Sequence, residues 1–300
     1  MRVIADELVR HDRFNAVAAE IHTAWDRAKH GDPQILPVIG PTRVGKTKLL
    51  ERVIHGHVQP SPDHSHEVIS IVSPKHLTGR ALPDACLATI GLSAVMFKNE
   101  VAATEAFVKA VRKHGTKLII FDETQHMLER GSSTTVRAAA DFLKMLFDQT
   151  QASLLLVGLP ALIGLFKANE QLADRARRPV QYFPYAWSGA DYKSFRSALA
   201  AAIQFLVERG WETFDLKDAD FARRMYVASA GRYGLINKLF MEVQCNGSNQ
   251  ALYEEFAQAY EQVVIGRGVA FNPFDVSQTI QTEHMALAYT QVMKEAGLAV

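Results

Sequence analysis

Only two cysteines, Cys86 and Cys245, occur in 300 residues, and they are isolated from one another. This gives no basis for a disulfide framework, and the lack of a C-x-x-C pair gives none for a structural zinc site. Excess charge is missing as well: 33 basic residues against 32 acidic ones leave +1. No global field draws the chain to nucleic acid, so any such surface must be a local patch. No apolar run approaches the roughly 18 residues of a membrane span, and the opening Met1 to Glu7 is charged too early for a signal peptide. A reducing compartment is therefore expected, with no membrane partner. What the chain does have is 48% hydrophobic residues, enough to bury a substantial core in one large domain or two smaller ones.

One stretch carries most of the information. Gly40-Pro41-Thr42-Arg43-Val44-Gly45-Lys46-Thr47 fits G-x-x-x-x-G-K-[ST] without a mismatch and follows the apolar run Ile35 to Ile39. Two glycines let the backbone wrap a polyphosphate and aim N–H groups at it. Lys46 reaches the β and γ phosphates, and the Thr47 hydroxyl ligates Mg²⁺. The set expected to bind ATP runs from Gly40 to Lys48. A second motif, Lys117-Leu118-Ile119-Ile120-Phe121-Asp122-Glu123, reads as a buried strand with two carboxylates at its carboxyl end. Open α/β sheets place their ligands at that end. Asp122 would hold the Mg²⁺ shell through water, and Glu123 would orient the attacking water, an arrangement suited to hydrolysis.

Around these motifs, Asp12 to Lys29 has helical periodicity and Gly31-Asp32-Pro33 stops it. A helix is expected from Lys48, a β-branched strand over Glu67 to Ser73, helices over Leu82–Leu92 and Thr104–His114, a helix over Arg137–Gln149, and a strand over Ser153–Val157. This alternation implies a doubly wound parallel sheet. From Gly189 to Val264 only helical periodicity remains, and Asn272-Pro273 opens what reads as a polar tail. The expected organisation is a leader helix over 1–32, a nucleotide-binding α/β domain over 33–187, a small all-helical lid over 188–268 and a tail over 269–300. Four histidines at His55, His57, His64 and His66 lack a Cys or carboxylate at ligand spacing, so a solvated loop is the expectation there.

A P-loop sheet followed by a helical bundle is the layout of AAA+ ATPases, and the chain resembles the TniB/TnsC family of transposon-encoded AAA+ regulators. The likeness rests on Leu8-Val9-Arg10-His11-Asp12-Arg13-Phe14, the cradle, Ile71-Val72-Ser73-Pro74 with Leu77-Thr78 and Gly91-Leu92, and Phe121-Asp122-Glu123-Thr124-Gln125-His126. It continues through Val157-Gly158-Leu159-Pro160 and Asn169-Glu170-Gln171-Leu172-Ala173-Asp174-Arg175. The resemblance implies a bacterial cytosolic or nucleoid protein that assembles with ATP as a homo-oligomer on duplex DNA. It implies recruitment of the transposase and partnership with the target-selection protein of the same transposon. Two departures stand out. Leu159 occupies the position where the family usually has a polar sensor, so hydrolysis is expected to be slow. Gly231-Arg232-Tyr233-Gly234 departs from the common G-x-x-R spacing, with Arg232 as the candidate second sensor. Arg175, Arg177 and Arg178 form a cluster that reads either as a solvated turn before Pro179 or as the source of a trans-acting arginine finger. The family's pattern favours Arg175.

For DNA, Gly131-Ser132-Ser133-Thr134-Thr135-Val136-Arg137 offers hydroxyls, flexible backbone and a cation suited to phosphate contacts, chiefly Thr134, Thr135 and Arg137. Lys109, Arg112 and Lys113 on the preceding helix would extend the patch. Helix capping is the competing explanation for those hydroxyls. Three other functions stay open: a helicase loader or initiator-type AAA+ protein, a P-loop kinase of a small metabolite, and a nucleotide-gated scaffold that hardly turns over ATP.

Overall fold

The computed structural model describes residues 11–54, 67–129, 132–215, 217–265 and 268–298. The chain divides into two compact units. The first is a sheet unit spanning Ala16–Gly40 and Lys46–Tyr182; the second, a helical unit, holds the described residues up to Asn15, Pro41–Gly45 and everything from Phe183 onward. Helix α1, Asp12–Lys29, supplies its first turn to the helical unit and the rest to the sheet unit.

In the sheet unit, β1 (Ile35–Ile39), β2 (Val68–Val72), β3 (Leu118–Asp122), β4 (Ser153–Gly158) and the short β5 (Val180–Gln181) form one sheet in the order β2-β3-β4-β1-β5. Every pairing is parallel. Parallel strands need crossovers, and helices supply them: α2 (Lys46–Ile54), α3 (Ala81–Thr89), α4 (Glu100–His114), α5 (Ser133–Thr150), α6 (Gly164–Ala168) and α7 (Glu170–Arg175). Ile69, Ile71, Ile119, Phe121, Leu154 and Leu156 pack with Leu87, Phe107, Val111, Leu143 and Leu146 of the helices. The alternate residues Leu36, Val38, Ile120, Leu155 and Val157 are buried too, so both faces are covered, and this is why these strands read as continuous apolar runs.

Pro37 in the middle of β1 looks wrong for a central strand. On the β5 side, however, β1 is bonded at Ile35, whose carbonyl accepts from Arg177 N–H at 2.8 Å, and at Ile39, which accepts from Tyr182 N–H at 2.7 Å. β5 pairs only with Val38 and Ile39, so Pro37 faces the gap in the ladder and its missing N–H costs no bond. At the other end of the sheet, Ser153 Oγ donates to Ala24 O at 2.7 Å and seats α1.

The helical unit comprises α8 (Gly189–Val207), α9 (Ala219–Ser229), α10 (Tyr233–Cys245), α11 (Tyr253–Val263) and α12 (Thr282–Glu295). Two-residue strands β6 (Glu212–Thr213) and β7 (Gln250–Ala251) pair in parallel between them. Phe195, Phe221, Tyr226, Phe240, Phe256 and Phe274 fill the core, with Phe256 stacked on Phe274 at 5.3 Å between ring centroids. The segment expected to be a polar tail is part of this core. Arg224, only 5% exposed, donates to the carbonyls of Pro273 (2.9 Å), Asp275 (2.8 Å) and Gln278 (2.9 Å) and pairs with Asp220 at 2.6 Å. Phe274, Ile280, Met285 and Val292 are buried; few apolar residues among many polar ones hid the helix from its sequence pattern.

His11 is buried in the helical unit. Its Nδ1 meets Tyr185 Oη at 2.7 Å and accepts from the Phe14 N–H at 3.3 Å, while Tyr185 Oη accepts from Arg13 N–H at 3.1 Å. Nδ1 is therefore the acceptor and the ring is neutral; burial first and the Arg13 charge second bring its pKa from 6.5 down to about 3. The folded chain binds this proton less tightly than the unfolded chain does, so stability falls as pH drops from 6.5 toward about 3. In that window His11 contributes up to about 1.4 kcal/mol per pH unit. His11→Asn keeps an acceptor without a titrating ring, and urea unfolding between pH 7 and pH 4 should show a shallower loss for the variant than for wild type. Equal slopes would place the protonation elsewhere.

Candidate functional site

β1 runs directly into the cradle, and α2 begins inside it at Lys46. In the sheet unit, Gly40 N–H donates to Gly158 O at 3.1 Å, tying the start of the cradle to the end of β4. β4 lies between β1 and β3, so the cradle and the acidic pair at the end of β3 stand two strand spacings apart, about 10 Å. Lys46 is 8% exposed, and its Nζ donates to Gly40 O at 2.9 Å. Burial lowers its pKa, while the charges of Glu123 and Asp122 hold it up. A cation this buried is costly unless it faces negative groups. Asp122 is moved the other way: burial raises its pKa, and the Glu123 N–H donated to its Oδ1 at 2.8 Å, with the Lys46 charge, opposes the rise. Ser73 donates its N–H to Asp122 O at 2.9 Å, and its buried hydroxyl has no hydrogen-bond partner among the described residues.

Two of the expected site's residues have strained backbone, one in each unit. Arg43 (φ 63°) and Glu123 (φ 50°) both sit in the left-handed region without being glycine. Gly45 at φ 107° is in a region closed to other residues. In the helical unit, a Cβ on Gly234 would stand 2.6 Å from Arg43 O and 3.0 Å from Gly45 N, so α10 presses backbone to backbone on the loop. Arg232, just before α10, is half-buried and donates Nε–H to Ser229 O at 2.9 Å. Burial and then the Arg43 charge bring its pKa down to about 10. An ammonium such as that of Lys46, at the end of a loop of backbone N–H groups, suits a polyphosphate. Thr47, Asp122 and the orphan hydroxyl of Ser73 are oxygen donors of the type Mg²⁺ takes. The residues present thus fit Mg·ATP.

Other expected site residues are placed less simply. Lys48 turns to Glu51, 2.7 Å away, leaving only its backbone N–H for a phosphate. Arg175 is already engaged: Nε and Nη2 reach Asp148 at 2.8 and 3.3 Å, and Nη1 donates to Gln171 O at 2.8 Å. Arg177 faces Glu20 at 3.5 Å, whereas Arg178 is exposed with no hydrogen bond or ion pair among the described residues.

The expected single basic patch is not found. Ser132 caps α5 by accepting from Thr135 N–H at 3.2 Å, so Thr134, Thr135 and Arg137 lie in helix and not in flexible loop. Arg112 Nε donates to Gln149 O, at the opposite end of α5. Lys109, Arg112 and Lys113 are thereby separated from Arg137 by about three turns of helix, roughly 18 Å. The physical reason is that β3 crosses the whole sheet between the end of α4 and the start of α5. Gly131, Leu8 to Arg10 and the four histidines at 55, 57, 64 and 66 lie outside the described residues. Among the described residues no cluster of three or more metal-ligating side chains occurs, and no helix is long and apolar enough to cross a membrane.

Sequence reasoning assigned no role to Gln125, which is 4% exposed and bonded to both Glu123 and Leu159. Its only signal was a polar residue two places after the acidic pair.

With this geometry in place, the comparisons are decisive on family. The family described as bacterial TniB protein matches residues 1–182. The chain belongs to the TniB family. The match ends at residue 182, where the sheet unit ends, so the helical unit from Phe183 lies beyond it. No curated protein matches this TniB-family chain in sequence. Among solved structures, the ORC1 protein of Aeropyrum pernix in complex with DNA superposes with TM-score 0.57 at 13% identity, over 97% of this chain and 79% of that one. The ORC2 protein of the same organism, in ADPNP and ADP complexes, gives 0.55 at 12%, over 85% and 68%. The Walker-type ATPase of Pyrococcus abyssi gives 0.55 at 15%, over 93% and 88%. At these identities the likeness is one of fold, and the fold is that of P-loop AAA+ ATPases.

The backbone contact at Gly234 has a measurable consequence. Alanine is the better helix former, yet Gly234→Ala should destabilise by about 1–3 kcal/mol, because neither Arg43 O nor Gly45 N can yield as a side chain would. A thermal melt of the variant at or above the wild-type midpoint would show that the contact is slack.

Proposed function

We propose that this TniB-family chain is an ATP-dependent, DNA-binding AAA+ regulator of DNA transposition that oligomerises on duplex DNA and recruits or activates the transposase. The observation that carries the reading is the convergence, across β4, of the buried Lys46 ammonium and the Asp122–Glu123 pair, in a chain of this family. Backbone N–H groups from Thr42 to Thr47 bind the phosphates, and Lys46 neutralises charge at the β and γ positions. Thr47 and, through water, Asp122 would hold Mg²⁺, which would supply positive charge against that developing on the phosphoryl group. Glu123 orients water at the γ-phosphate. Arg232 stands beside the cradle residue Arg43 within the helical unit and senses the phosphate charge. The finger in trans is Arg175 only if its pairing with Asp148 opens on assembly; Arg178 is the unengaged alternative in the same cluster.

The duplex is bound through phosphates by Thr134, Thr135 and the exposed Arg137 at the start of α5, with Lys113 serving a second contact at the far end of the sheet. DNA in the ORC1 complex supports a nucleic-acid partner and equally keeps the initiator or helicase-loader reading in view. Leu159 favours slow turnover, since its side chain offers nothing to a phosphate or a water.

Lys46→Ala should abolish nucleotide-dependent DNA binding, and Glu123→Gln should trap an ATP-bound assembly, both read by electron microscopy and filter binding with a long duplex. Unchanged ATP-dependent binding in Lys46→Ala, or faster disassembly in Glu123→Gln, would count against the roles given. Separately, DNA affinity should fall steeply with salt, with a slope of about 0.9 per phosphate neutralised. Arg137→Ala should lower that slope and weaken all duplexes alike. A preference of more than about a hundredfold for one sequence would require base or shape readout instead.

A further inference from the structure

Gln125 bridges the acidic turn after β3 and the end of β4 within the sheet unit. Its Nε2 donates to Glu123 Oε2, and its Oε1 accepts the N–H of Leu159 at 2.9 Å. The orientation of the amide is forced: Leu159 N–H can only donate and the Glu123 carboxylate accepts, so a flipped amide would set donor on donor and acceptor on acceptor. The space is forced too. A Cβ on Gly158 would collide with Gln125 Oε1 and crowd Thr124 N at 3.2 Å, so the glycine at the end of β4 makes room for this side chain. Thr124 Oγ1 donates to Phe121 O at 2.7 Å and fixes the short helical turn Thr124–Met127 that carries Gln125. Glu123 itself sits in a left-handed backbone conformation that offers its carboxylate no local partner except this amide among the described hydrogen bonds.

We propose that Gln125 is the positioning residue for hydrolysis, taking over from the acidic turn the polar function that Leu159 cannot perform from β4. The inference rests on the reading of Glu123 as the group that orients water. One face of the Gln125 amide holds the Glu123 carboxylate in a single orientation, and the other anchors that amide to the strand end that also receives Gly40 N–H at Gly158 O. The carboxylate is thus indexed to the cradle through Gln125, Leu159 and Gly158, and any shift of the β4 terminus moves it.

The test is single-turnover ATP hydrolysis, which tolerates a slow enzyme, measured beside nucleotide affinity. Gln125→Ala should lower the chemical rate 10- to 100-fold with nucleotide affinity within twofold of wild type. Gly158→Ala, which expels the amide, should reproduce that split. Gln125→Glu keeps the shape and the acceptor for Leu159 N–H, so it guards against simple misfolding. It loses the donor to Glu123 and sets two carboxyl groups together, which disfavours ionising both. The acid limb of its pH–rate profile should move to higher pH, a change that a purely structural role would not produce. With Lys46→Ala weakening nucleotide binding tenfold or more as control, a Gln125→Ala rate within twofold of wild type overturns this inference alone. Lys46→Ala without effect on binding overturns the reading of the site, and the inference with it.

Discussion

The hydrogen bond from Gly40 N–H to Gly158 O is the constraint on which the site depends. It is one ladder bond in a parallel sheet, but it lies where β1 stops being a strand and becomes the cradle. A parallel sheet points all its strands the same way, so the carboxyl ends of β1, β3 and β4 emerge at one edge and whatever follows them is brought together. With β4 between the other two, its terminal glycine touches both neighbours' business: its carbonyl holds the cradle, and its lack of a side chain admits Gln125 beneath the acidic turn. The chemistry is assembled by strand order, and loop sequence only decorates it.

That placement is maintained against two unfavourable terms. The Lys46 ammonium is buried, and several backbone groups are held in left-handed conformations. The sheet unit offsets them with an apolar core on both faces of the sheet. The helical unit uses a different device at its own weak point, where the polar segment after α11 has few apolar residues to bury. There a single Arg224 guanidinium satisfies three backbone carbonyls and a carboxylate. Charge-assisted bonds of this kind replace some of the hydrophobic area that the segment lacks.

What the sequence disclosed follows from the range of the forces involved. The cradle, the acidic pair, α1 and four of the strands were legible because each is written locally: glycines at fixed spacing, helical periodicity in α1, or an apolar run, which in β1, β3 and β4 is buried on both faces. β5 was not legible, because two residues pairing with the edge of β1 leave no periodic trace. α12 was not, because its buried positions at Met285, Ala288 and Val292 are diluted by polar neighbours and stabilised from elsewhere in the chain. The supposed patch joining Lys113 to Arg137 failed for a topological reason: residues near in sequence but divided by a strand lie at opposite ends of a sheet. Gln125 was visible as a letter but not as a role, since its partner Leu159 is distant in sequence and contributes only a backbone N–H.

Backbone strain marks site residues in each unit. Among the described residues, five that are not glycine adopt positive φ: Arg43, Glu123, Gln151, Ala230 and Asn249. Gln151 and Ala230 close α5 and α9, where such geometry is ordinary, and Asn249 sits in a bend before β7. The other two are Arg43 in the cradle and Glu123 in the acidic pair; Ala230, at the end of α9, lies two residues before Arg232. Alanine gains nothing from the left-handed region, which costs about 1 kcal/mol there. Gly231 follows with φ 71° and a backbone so close to Tyr185 that no Cβ fits. The chain therefore accepts one unfavourable conformation, at Ala230, ahead of the tight turn at Gly231, as it accepts one each at Arg43 and Glu123. Strain persists only where surrounding structure over-determines it. Here the determinants are identifiable: the ladder bond at Gly158, the amide of Gln125, and the backbone contact of Gly234 with the loop.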